Sequence, residues 1–251
     1  GDIAQSNFVI EFKLASENEN AYNQTMPSQA GNYDVRVSVI NNSQFTAEKV
    51  LNFEIHKRSV NVEVSSMRQT YGNVRPLNVT YVEYDLVPAV TYHSSSYTRK
   101  QQVPTEAGMY TARVEVVNRN YIVKSGNNNY VEVSFEITQA SLTLITKPFI
   151  SDIVYGQSLR DSSITGGNIS YGEGVSIVGR YTFQNPSLIP NAGINLVNLL
   201  FTPYNKNFAP MTVADVEINV ARANAEIMFT NLKAVYDKTN KRDLISYVAD
   251  N

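Results

Sequence analysis

Apolar and polar residues alternate along most of this chain. Phe8, Ile10, Phe12 and Leu14 are interleaved with Val9, Glu11 and Lys13, the period of two that marks a half-buried strand. Tyr33, Val35, Val37 and Val39 repeat the pattern, and residues 50–55 supply the next strand. Val60, Val62 and Val64 open a further run, followed by strand candidates at 77–84, 87–92, 108–116, 121–123 and 130–137. The series resumes with Leu142 and Leu144, then 177–183, 196–201 and 213–220, and ends on Ala225, Ile227 and Phe229. Between these runs lie turn signals: Asn41-Asn42-Ser43, Tyr71-Gly72, Tyr155-Gly156, Gly166-Gly167 and Gly172-Glu173-Gly174. Residues 16–28 are polar, with Pro27 among them, and read as a long loop. No stretch beyond ~10 residues keeps apolar spacings of three and four, so no long helix is expected; 232–244 could hold a single turn.

The runs repeat. Phe53-Glu54-Ile55 returns as Phe135-Glu136-Ile137 and Val216-Glu217-Ile218, at offsets of 82 and 81 residues. Tyr71-Gly72 returns as Tyr155-Gly156 and Tyr236-Asp237, at 84 and 81, and Ala-Gly occurs at 30, 107 and 192. Three markers in one order at nearly one period define a unit of about 82 residues with several short strands, which suits a small antiparallel β-sandwich able to bury its own core. The expected fold is all-β: tandem immunoglobulin-like antiparallel β-sandwiches. Their connections, at Lys57-Arg58, Ala140-Ser141 and Arg222-Ala223, are short enough to give an extended array.

The phase of the repeat matters. Phe8-Val9-Ile10 aligns with Ala89-Val90-Thr91, so 1–57 reads as a truncated repeat without its first strands. Residues 58–140 and 141–222 read as complete repeats, and 223–251 as the first strands of a further one. The two partial units are complementary, so the last can complete the first by strand addition, within a chain or between molecules. The chain does not begin with Met, and Gly1-Asp2 reads as the cut end of a longer protein.

Composition narrows the function. A hydrophobic content of 43% over 251 residues supports real cores, and the net charge of -2 argues against electrostatic capture of nucleic acid or an anionic membrane. With no Cys, neither disulfides nor thiolate chemistry is available, and apolar packing alone must join the sheets. Ala-Gly-x-Tyr fits a structural corner, in which a Tyr at the start of a late strand returns its hydroxyl to upstream backbone. Gly31 with Tyr33 and Gly108 with Tyr110 are the candidates; Asn195 stands at the third position, where the corner is expected to be lost.

Catalytic constellations are absent from the sequence. His56 and His93 are the only histidines and fall in different repeats, no Gly-x-Ser-x-Gly elbow accompanies either, and no phosphate-binding glycine pattern occurs. No enzyme activity and no cofactor are expected. Calcium remains a candidate ligand through Asp237, Asp243, Asp250 and Asn251, although they form no Asp-x-Asp-x-Asp loop. Lys147 is the position to check for an intramolecular amide cross-link. Tyr92, Tyr97, Tyr121 and Tyr130 are the aromatics for a glycan-binding reading; a host glycan or protein ligand is not specified by any motif.

The turn and core markers carry a resemblance. Tyr71-Gly72, Tyr155-Gly156 and Tyr236-Asp237, with Pro104-Thr105-Glu106-Ala107-Gly108-Met109-Tyr110 and Phe135-Glu136-Ile137-Thr138-Gln139-Ala140, resemble the MBG/YDG-type immunoglobulin-like repeats of large bacterial cell-surface, adhesin-like proteins. Leu159, Gly166-Gly167, Gly179, Pro190-Asn191-Ala192-Gly193 and Phe201-Thr202-Pro203 match best. Lys238, where a Gly is expected, and Asn195 depart from the pattern. The resemblance implies an extracellular stalk or spacer, whose partners are neighbouring repeats of the same chain, projecting another domain from a bacterial cell.

Overall fold

The computed structural model describes residues 4–82, 84, 86–125, 128–230, 233, 235, 236, 238 and 246–250. The chain divides into two compact units, Gly1–Thr138 and Gln139–Asn251. Both are built from antiparallel sheets, and the helical elements among the described residues are three short 3-10 turns, Gln5–Asn7, Glu19–Ala21 and Leu159–Asp161. The fold is all-β, of immunoglobulin-like sandwich type.

Unit 1 opens with a three-stranded sheet in which β1 (Phe8–Leu14), β2 (Gly31–Val39) and β3 (Glu48–Ile55) lie in sequence order. The alternation of Phe8 to Leu14 puts the apolar residues of all three strands on one face. Ile10 pairs with Val37, Phe12 with Val35 and Leu14 with Tyr33, while Leu51 and Phe53 pair with Val35 and Tyr33 from the other side. A sandwich follows, with β4 (Arg58–Val60), β5 (Val62–Ser65), β6 (Arg68–Thr70), β7 (Asn78–Tyr81), β8 (Pro88–His93), β9 (Gly108–Val116), β10 (Tyr121–Val123) and β11 (Tyr130–Thr138). One sheet has the order β6-β11-β9-β8, the other pairs β5 with β7, and β4 pairs with β10. Tyr92, Tyr110, Ala112, Phe135, Ile137 and Leu77 form its core, with Val60, Tyr81, Val116 and Val123 as a second cluster.

Unit 2 repeats this topology. Its strands are β12 (Thr143–Ile150), β13 (Ile153–Val154), β14 (Ile164–Tyr171), β15 (Val175–Ser176), β16 (Gly179–Phe183), β17 (Gly193–Pro203) and β18 (Met211–Ala221), then β19 (Glu226–Thr230) and β20 (Ser246–Asp250). The sheets are β12-β14-β15 and β13-β18-β17-β16, closed on Ile150, Ile153, Leu159, Ile169, Leu199, Phe201, Val213 and Ile218; β19 and β20 form an antiparallel hairpin. In both sandwiches a short early strand, β6 or β13, runs parallel to the last strand, β11 or β18.

Two details differ from the sequence reading. Gly166-Gly167 is not a turn but lies inside β14, at φ +68° and +81°. A Cβ on Gly167 would come within 3.1 Å of the Pro148 backbone nitrogen, so glycine there permits close approach of β12. The repeat register in unit 2 is also shifted. Tyr110 faces Phe135 and Asn195 faces Ile218, so Phe135 corresponds to Ile218 rather than Val216. The shift is two residues, so every side chain keeps its face. Separately, Val197 pairs with Val216 but Leu199 with Val213, a one-residue bulge opposite Asn198. Finally, residues 232–244, where a turn of helix was allowed for, lie largely outside the described residues.

Candidate functional site

The corner residues sit at the start of β2 and β9. Tyr33 Oη donates to the Gln29 carbonyl at 2.8 Å and Tyr110 Oη to the Glu106 carbonyl at 2.9 Å, each four residues upstream. Gly31 and Gly108 lie against these rings, where a Cβ would stand 3.6 Å from each hydroxyl. Both tyrosines are buried and pack on Phe53 and Phe135. Asn195 does not abolish the connection: its Nδ2 donates to the Asn191 carbonyl at 2.8 Å, again four residues back. The shorter amide reaches the same acceptor because the chain turns in the same way, but it supplies no ring to the core.

The chemistry-bearing candidates are not brought into a site. His56 follows β3 in an exposed position with Nδ1 3.2 Å from Glu54 Oε1, and His93 closes β8. Lys147 is exposed on β12 and donates to the Asp215 carbonyl at 2.6 Å, so it lacks the dry pocket that amide formation needs. Tyr92 is 1% exposed and belongs to the core. Tyr97 returns its hydroxyl to the Gln102 carbonyl, Tyr121 packs on Tyr84, and the Arg113 guanidinium covers the Tyr130 ring at 3.5 Å. These four rings therefore form no shared open platform. Among the described residues no group of three His, Cys, Asp or Glu could hold a metal ion. Asp237, Asp243 and Asn251 lie outside the described residues, and Asp250 closes β20. No helix of the described residues is long and apolar enough to cross a membrane.

One surface does stand out. The apolar face of β1-β2-β3 carries Ile10, Phe12, Val35, Val37, Leu51 and Phe53, yet no second layer among the described residues covers it as β5-β7 and β12-β14 cover the equivalent sheets. Ile10 is 49% and Leu51 51% exposed, whereas Ala112, Val114 and Phe135, on the same face of the equivalent sheet, are fully buried. Such an area on a folded sheet is an interaction surface in waiting. Among the described residues the edge of β3 is open too. The equivalent strands β11 and β18 hold β6 and β13 along that edge, with Tyr71 N–H on the Thr138 carbonyl and Tyr155 N–H on the Ala221 carbonyl.

The opposite face of the sheet is polar and internally satisfied. Lys13 Nζ lies 2.7 Å from Asp34 Oδ2 and also donates to the Glu17 carbonyl, while Asn52 Nδ2 donates to Asp34 Oδ1 at 3.1 Å. Arg36 pairs with Glu11 at 2.8 Å and lies over the Tyr22 ring. The hydrogen bond to Asp34 raises the Lys13 pKa, against the opposing effect of burial, and burial raises that of Tyr22. The ladder Lys13-Asp34-Asn52 follows the strand register and has no signature in the sequence, which shows spacing along a strand but not pairing across strands.

Other concavities are shallow. A cleft of about 550 Å³ is lined by Tyr155, Gly156, Ala192 and residues 222–225, where the chain leaves β18 for β19. Another, of about 600 Å³, runs beside the edge strand β16 with Arg160, Arg180, Tyr181 and Tyr204.

No protein-family model matches the chain, and no curated protein sequence matches it either. Among solved structures it is similar to the three N-terminal domains of the highly immunogenic outer capsid protein (Hoc) of bacteriophage RB49, at TM-score 0.32 and 10% identity over 87% of this chain and 89% of that one. It is also similar to domains EC3-6 of protocadherin gammaB7, at TM-score 0.25 and 8% identity over 96% and 76%. The fold assignment rests on the strand orders and registers above.

Proposed function

We propose that the chain is a run of non-catalytic spacer modules of a bacterial cell-surface, adhesin-like protein, of MBG/YDG type. Their work is mechanical: to project another domain from the cell. The observation that carries this reading is the parallel pairing of β6 with β11 and of β13 with β18. In each sandwich the chain passes through its first strands, β4 and β5 or β12, into the early strand and departs along the last one. Two parallel strands pulled from opposite ends are loaded in shear, so their hydrogen bonds must break together rather than one at a time.

The connections support the same reading. Ile55 ends β3 and Arg58 begins β4, with the Arg58 N–H on the Asn120 carbonyl. After β11, Ala140 exchanges backbone hydrogen bonds with Asn207 and Ala209. Load therefore passes into ordered backbone without a slack linker. An extracellular location on a bacterial cell follows from this role. Intact cells of the source organism should be labelled by antibody to the chain, and external protease should remove the label. Labelling only after lysis overturns the proposal.

A further inference from the structure

The open face of β1-β2-β3 has a specific counterpart elsewhere in the same chain. In unit 2, β12 and β14 form the layer that faces the β17-β18 sheet, with Thr143 paired to Ser170 and Leu144 to Ile169. The β19-β20 hairpin repeats that register, with Glu226 paired to Asp250 and Ile227 to Ala249. Leu144 packs on the sandwich core; Ile227, its counterpart, is 57% exposed. Among the described residues, one half of a sandwich thus has no facing layer, and a hairpin of the missing type is paired with no further strand.

The open edge of β3 has a counterpart as well. Residues 68–70 and 153–154, each directly before the Tyr of a Tyr-Gly turn, lie parallel to the last strand of their sandwich. A side-chain pair spans this slot both times: Arg68 to Glu136 at 2.8 Å, and Asp152 to Asn219 at 2.8 Å. By the same alignment Lys233 and Val235 precede Tyr236, and Lys233 falls opposite Glu54 of β3. The charges are complementary, and Val235 and Tyr236 are each 84% exposed.

We propose that the β19-β20 hairpin of a second copy of this chain, with its Lys233 and Val235, docks on the apolar face and open edge of β1-β2-β3 and completes a third sandwich between molecules. The order of the chain favours a second copy over the chain's own hairpin: two complete sandwiches, β4 to β11 and β12 to β18, separate β3 from β19. The contact joins two different surfaces, so it propagates head to tail, as an open chain or a closed ring.

Sedimentation and light scattering of the 251-residue chain test this. The wild type should associate as concentration rises. Leu51→Asp blocks the face and Ile227→Asp blocks the hairpin; each replaces an exposed side chain, so each variant should fold and remain monomeric, with self-association weakened at least ~100-fold. Mixed, the two variants should give a 1:1 dimer and nothing larger, since one supplies the only intact face and the other the only intact hairpin. Glu54→Lys and Lys233→Glu should each weaken association, and the two together in one chain should restore it. A wild type that stays monomeric overturns the proposal, as does a mixture that stays monomeric. So does an Ile227→Asp chain that still dimerises, which would mean that two β1-β2-β3 faces meet each other.

Discussion

Replacing Tyr92 by Phe tests how the two sheets of the first sandwich are held together. Tyr92 lies in β8, and its hydroxyl accepts the N–H of Leu77, directly before β7 of the opposite sheet, at 3.2 Å. Tyr92 is 1% and Leu77 7% exposed, so water cannot replace the lost acceptor without opening the core. The ring itself stays, packed on Phe135 with centroids 5.5 Å apart. An orphaned buried donor costs about 1–3 kcal/mol, and the long bond puts this one at about 1–2 kcal/mol. For a sandwich of this size that is a fall in Tm of roughly 5–10 °C. Tyr110→Phe is the control. It removes one bond to the carbonyl of Glu106, an exposed residue, so water can take over and the cost is about 0.5–1 kcal/mol. The chain has 16 Tyr and no Trp, so tyrosine fluorescence with far-UV circular dichroism follows urea unfolding without interference. Amide exchange at Leu77 should accelerate in Tyr92→Phe alone. A Tyr110→Phe chain as destabilised as Tyr92→Phe, or an unchanged Leu77 exchange rate, refutes the reasoning.

Gly179→Ala in β16 would place a methyl 2.6 Å from the Thr202 carbonyl oxygen, so unit 2 should lose about 1–3 kcal/mol in urea unfolding while unit 1 is unaffected. Asn120 Oδ1 accepts the N–H of buried Ala30 at 2.8 Å, tying the β2 corner to the loop before β10; Asn120→Ala should speed exchange at Ala30 more than tenfold with little change in global stability. Burial raises the pKa values of Tyr81, Tyr92 and Tyr110 above the ordinary 10. The unfolded state then releases protons first as pH rises, so stability is full below pH 10 and falls through the interval above it; thermal melts from pH 8 to 11 should show the loss in unit 1.

Much of this architecture is legible in the sequence because each strand has one wet and one dry face. The alternation at Phe8 to Leu14 and at Tyr33 to Val39 places strands and faces together, and Tyr-Gly with Ala-Gly marks the repeat. What the sequence hides is pairing across strands. The apparent match of Val216-Glu217-Ile218 stands two residues away from the pairing equivalent to Phe135, since alternation is blind to an even slip. Gly166-Gly167 looked like a turn because positive φ is required there, but the cause is close approach of Pro148 within a strand. Asn195 looked like a lost corner because residue type was weighed without the reach of its amide. The open face was legible only as a missing partner: Phe8 and Ile10 announce a buried side, and only the assembled sheet shows that nothing among the described residues lies over it.

The central claim is that β6 on β11 and β13 on β18 are clamps loaded in shear. Pulling one molecule by its two ends in single-molecule force spectroscopy tests this directly. Two discrete unfolding events are expected, one per complete sandwich. Each should release roughly 25 nm, since about 80 residues extend to ~3.6 Å each, less a folded length of ~35 Å. Tyr155→Pro, which deletes the N–H that bonds the Ala221 carbonyl, should lower the force of one event and leave the other unchanged. Smooth extension without discrete events, or a Tyr155→Pro chain with both forces unaltered, contradicts the mechanical reading.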